Sequence, residues 1–111
     1  MAVSRYFALV SMKAALTRTC AAHVDVDALP RLQAHILALP ELAEMPPVFP
    51  VMLQRHVDRG AAEGTGSLFP DGPNATECAR MMAMTDDGLT REEPAMRAAF
   101  AEQFAEARLA R

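Results

Sequence analysis

Residues 48–88 constrain the fold more than any other stretch of the chain. They read as a helix, a break rich in glycine and proline, and a second helix. The first run, VFPVMLQRHVDRGAAEG, puts Met52, Leu53, Val57 and Ala61 on one face, and Gln54, Arg55, Asp58, Arg59 and Glu63 on the other. Pro50 is tolerated only in a first turn, and Gly64 suits the left-handed position just past a helix end. The break, TGSLFPDGP, carries Gly66, Pro70, Gly72 and Pro73, so Asp71-Gly72 reads as a turn. Leu68 and Phe69 are apolar, which predicts that the loop packs back on the body. Asn74 then caps the second run, with Glu77 completing a capping-box pattern. Ala75, Cys78, Ala79 and Met82 share its inner face, which Met81 and Met84 widen. Asp86-Asp87-Gly88 either ends this helix or is carried through by tertiary contacts.

The flanking segments are helical too. Residues 1–24 contain no acid, and Val3, Phe7, Val10 and Ala14 form one row. A buried core helix fits this pattern best. A targeting peptide and a membrane-surface helix are the alternatives. Asp27 is placed to cap a helix whose first turn holds Pro30 and whose stripe is Leu29, Leu32, Ile36 and Leu39. Pro40 ends it or opens a short segment, PELAEM, and Pro46-Pro47 forces an extended break. Thr90-Arg91-Glu92-Glu93 reads as a second capping box, with Pro94 in the first turn of a last helix bearing Met96, Phe100 and Phe104 on one row. The expectation is an all-α bundle of five or six helices and a single domain spanning residues 1–111.

The 111 residues have room for one core. A net charge of −3 argues against a phosphate-binding surface, so no direct nucleic-acid partner is expected. No run approaches the length of a membrane span. Cys20 and Cys78 are expected as buried thiols of a cytoplasmic protein in preference to a disulfide.

Chemistry-bearing patterns are sparse. His23, His35 and His56 are the three histidines, and Cys20 with His23 matches no zinc spacing. No metal and no cofactor is expected. Cys78 lies early in a capped helix, where a thiol is activated, but a nucleophile needs a positioned base. A small buried residue is the stronger reading. There is no Ser-His-Asp order and no phosphate loop. Met81, Met82, Met84 and Met96 are concentrated, which suits either core filling or an adaptable apolar surface.

The stretch VMLQRHVDRGAAEGTGSLFPDGPNATECARMMAMTDDGL resembles the C-terminal effector domain of tetracycline-repressor-family regulators. The likeness rests on Arg59-Gly60, Glu63-Gly64, Asp71, Ala75, the run Ala79 to Met84, and Asp87-Gly88-Leu89. The Pro40–Met45 segment also looks like that family's PEL segment. The resemblance covers about half of the chain. Residues 1–24 are too short and too apolar for the family's helix-turn-helix module. The resemblance implies an all-α ligand-binding and dimerisation domain whose last two helices pair with a partner's. The expected function is therefore a non-catalytic ligand-sensing domain whose partners are an apolar small molecule and a second copy of the chain. The alternatives are a helical adaptor or inhibitor of another protein, and a small enzyme or metal protein using Cys20, Cys78 and the histidines. Apolar-face geometry nominates His56, Met52, Cys78, Met81, Met82 and Phe100 for the ligand. It nominates Met84, Met96, Phe100 and Phe104 for a homodimer interface.

Overall fold

A computed structural model describes residues 2–42 and 45–109, less the side chains at 104 and 106–109. The described residues form four α-helices: α1 (Ala2–Thr19), α2 (Ala28–Leu37), α3 (Phe49–Glu63) and α4 (Ala75–Leu109). Single 3-10 turns lie at Pro40–Leu42 and Gly66–Leu68. Among the described residues there is no strand. The all-α expectation holds, with four helices where five or six were expected.

The acid-free N-terminal segment is the axis of the fold. α1 packs against both α3 and α4, which explains why it is apolar around most of its circumference. Tyr6, Val10, Ala14 and Leu16 are at most 1 % exposed. Residue pairs set the directions of the neighbours. Phe7 meets His56, Ser11 meets Gly60 and Thr19 meets Thr65, so α1 and α3 run parallel. Arg5 meets Glu92, Leu9 meets Gly88 and Cys20 meets Cys78, so α4 runs antiparallel to α1.

The main core joins all four helices through Tyr6, Phe7, Val10, Ile36, Leu53, Val57, Leu89, Met96 and Phe100, among others. A second, smaller cluster holds Leu16, Cys20, Phe69 and Cys78. Phe69 brings the loop back onto the body as expected, while Leu68 stays exposed. Burying a phenylalanine of this kind contributes roughly 2 kcal/mol.

Three local expectations change. The predicted pair of C-terminal helices is one helix of 35 residues. Gly88 and the Thr90–Glu93 capping box lie inside it, and so does Pro94. Local breakers lose here because the buried stripe Cys78, Thr85, Leu89, Met96 and Phe100 keeps one phase along α1 and the main core. A break at Gly88 would take Met96 and Phe100 off that stripe. Asp27 precedes α2 but makes no side-chain cap. Asp25 instead accepts the Asp27 N–H and pairs with Arg31. The third correction concerns the cysteines. Cys20 and Cys78 are not free thiols but a disulfide, with Cα atoms 5.9 Å apart. The bond ties the end of α1 to the start of α4. It overturns the expectation of buried thiols, and structural disulfides of this kind form in oxidising compartments.

Gly64 and Asn74 cap their helices as the sequence predicts, but Glu77 pairs with Arg80 where a capping box was expected. Gly64 ends α3 with φ +66°, and its N–H donates to the Gly60 carbonyl. Asn74 Oδ1 accepts the Glu77 N–H at 2.9 Å. The Glu77 carboxylate turns outward to Arg80.

Candidate functional site: the groove between α1 and α3

Two parallel helices leave a cleft where their small residues meet. Gly60 lies directly against the Ser11 backbone, and the Ser11 hydroxyl donates to the His56 carbonyl at 3.3 Å. This close crossing forms the floor of a groove of about 550 Å³. Val3, Phe7, Ala8, Met12 and Ala15 give it an apolar wall, and Ser4, Ser11, His56, Arg59, Glu63 and Thr65 place polar groups along it. The His56 ring stacks on Phe7 with centroids 5.8 Å apart. That contact half-buries the imidazole and holds it at the groove.

The far end of the groove is unusual in two respects. α3 finishes on Glu63 and has no basic residue in its last turn. A carboxylate there sits at the negative end of the helix dipole, an unfavourable place for it. Next to it Thr65 is 5 % exposed. Its N–H donates to Thr19 Oγ1 at 3.2 Å, but its own Oγ1 has no hydrogen-bond partner. An unmet buried hydroxyl costs about 1–3 kcal/mol. Among the described residues neither Arg59 nor Glu63 makes an ion pair.

A second groove of about 440 Å³ runs between α1 and α4. Ala8, Leu9, Met12, Met84 and Gly88 form its apolar part, rimmed by Arg5, Arg91 and Glu92. Ala8 and Met12 line both grooves, so the outer edge of α1 is a ridge between them.

The residues nominated for a ligand are dispersed. His56 lines the α1–α3 groove. Met52 is half exposed elsewhere on α3. Cys78 is sealed in the disulfide, with Met81 and Met82 packed on that cluster. Phe100 lies in the main core with its ring 6.5 Å from Phe49. Of the residues nominated for a dimer, Met84 is 59 % exposed beside the second groove, while Met96 and Phe100 are buried within this chain's own core. The side chain of Phe104 lies outside the described residues. Sequence reasoning missed Thr65, Ser11 and the α1 ridge. Arg59 and Glu63 were visible as part of a wet face and of the family resemblance, but not as groove residues.

The histidines do not converge. His23 is exposed, His35 pairs with Glu93, and His56 stacks on Phe7. Among the described residues no three His, Cys, Asp or Glu side chains are grouped to hold a metal ion, and no helix is long and apolar enough to cross a membrane.

Comparison with protein-family models, with curated proteins and with solved structures finds no match for this chain.

Proposed function

We propose that this chain is a non-catalytic ligand-sensing domain, of the kind its likeness to a regulator's effector domain implies, and that the α1–α3 groove is where the ligand sits. The groove carries this reading. Its volume of about 550 Å³ lies in the range of small-molecule sites, and it combines an apolar wall with a few polar groups. His56, one of the residues nominated from sequence, is part of it. The test is calorimetric titration with small amphipathic molecules, repeated on Ala8→Trp, which fills the groove from an exposed position on α1. One site per chain that is lost in the variant supports the reading. Binding that survives in Ala8→Trp overturns the site, and no binding by any amphipath overturns the function.

A second reading, self-association, is favoured by Met12 and Met84, which are 37 % and 59 % exposed beside the α1–α4 groove. Paired exposed methionines suit an apolar contact surface. Sedimentation equilibrium of the wild type and of Met84→Glu decides it, with a dimer that Met84→Glu dissociates as the supporting result.

A further inference from the structure

We propose that the α1–α3 groove takes a cationic amphipath, an apolar molecule with a single amine head, and that the head sits at the Glu63–Thr65 end. The inference rests on the groove being a ligand site and adds the chemistry of its ligand.

Two features of that end are unfavourable in the free protein and are both relieved by one kind of group. The first is electrostatic. Glu63 stands at the C-terminal end of α3, where a cation would be favoured, and no basic residue occupies the last turn. α1 ends at the same side of the bundle, but its end is matched by the N-terminus of antiparallel α4 through Cys20–Cys78. α3 runs parallel to α1, so that pairing does not reach the α3 end, and no residue of α3's own last turn is basic.

The second feature is the Thr65 hydroxyl. Thr65 lines the groove while its Oγ1 is shielded from water and unpartnered. Rotation about χ1 carries the hydroxyl to another staggered position. Turned to a ligand N–H, the oxygen becomes an acceptor with a donor. A protonated amine supplies three donors and a positive charge at one atom. It therefore meets the Glu63 carboxylate, the helix end and the hydroxyl together.

The remaining polar residue of consequence is Arg59, one turn before Glu63 on the same helix. Its guanidinium opposes a second cation. It also sets a sharp expectation: neutralising Arg59 strengthens amine binding and neutralising Glu63 weakens it. The apolar body of the ligand lies toward Phe7, Ala8 and Met12, away from the charged end.

The experiment titrates the full chain with octylamine, octan-1-ol and octanoate, which share a tail and differ in the head. The expected order is amine, then alcohol, then acid. Glu63→Gln should weaken the amine about threefold and leave the alcohol unchanged, as befits a charge pair at an exposed carboxylate. Arg59→Gln should tighten the amine by a similar factor. Thr65→Val, an isosteric change that removes the unmet hydroxyl, should weaken the amine without lowering Tm, whereas Thr65→Ser should bind as the wild type does. An alcohol or acid that binds as tightly as the amine overturns the cationic inference and leaves the groove standing. Failure of all three probes overturns both.

Discussion

Gly60 and Ser11 lie so close that a Cβ on Gly60 would stand 2.3 Å from the Ser11 carbonyl oxygen. The obstacle is backbone, which cannot rotate out of the way, so a side chain here must push α1 and α3 apart. Gly60→Ala is expected to destabilise the protein by about 1–3 kcal/mol despite alanine's better helix propensity. Gly88→Ala is the control. There the Cβ would meet Leu9 methyl groups at 3.2 and 3.3 Å, and a leucine tip can yield. Its cost should be offset by the propensity gain of about 1 kcal/mol, leaving stability nearly unchanged. Denaturant unfolding of the two variants tests the contrast, and equal losses would refute it.

Lys13 is a second packed anomaly. Its side chain is 7 % exposed and pairs with Asp86, which is 49 % exposed. Removing the carboxylate strands an ammonium in the core, whereas removing both charges does not. Asp86→Ala should cost about 2 kcal/mol, and adding Lys13→Met should restore most of it. A double variant no more stable than Asp86→Ala would show that the stranded ammonium is not the source of the loss.

These two positions mark how far the sequence could be read. The α3 stripe of Leu53 and Val57, the Gly64 stop and the Asn74 cap were legible because each depends on neighbours within a few residues, and Phe69 was legible as an apolar side chain in a turn-rich loop. Gly60 was not, since a helical glycine looks like a cost until Ser11 is seen against it. The single long α4 was left open at Gly88 and misjudged at Pro94 for the same reason. Capping and breaking are local, while the stripe from Cys78 to Phe100 that overrides them is defined by α1 and the rest of the core. The groove is less legible still. Its walls come from α1 and α3, about 45 residues apart where Ser11 meets His56, and the unmet hydroxyl of Thr65 has no sequence signature at all.

Tyr6 predicts an alkaline weakness. Burial, with the Glu93 carboxylate adding to it, pushes its phenol from 10.0 up to about 12. Both forms of the chain hold the proton below pH 10, so the stability is fully present there. As pH rises from 10 to 12 the unfolded chain releases the proton and the folded chain resists. Stability is then lost, by up to about 2–3 kcal/mol across that window. Tm should fall over this range in the wild type, and Tyr6→Phe should flatten that part of the profile. An unchanged slope in the variant would assign the loss to other groups.

The disulfide yields the last expectation. Cys20 and Cys78 are both 0 % exposed, and the bond closes a loop between residues 58 apart in sequence. Constraining the unfolded chain over such a loop is worth about 4 kcal/mol in the chain-entropy treatment. Thiol–disulfide exchange requires an attacking thiolate to reach a sulfur, and the cover of Leu16, Phe69, Met81 and Met82 prevents that in the folded state. The bond should therefore resist dithiothreitol in native buffer and be reduced at the rate at which the protein opens. Added denaturant should accelerate reduction in step with unfolding. Cys20→Ala combined with Cys78→Ala should lower the unfolding free energy by about the same 4 kcal/mol. Reduction of the native protein as fast as an exposed peptide disulfide would mean that the α1–α4 junction opens on its own, and the bond would then be a labile link in place of a buried staple.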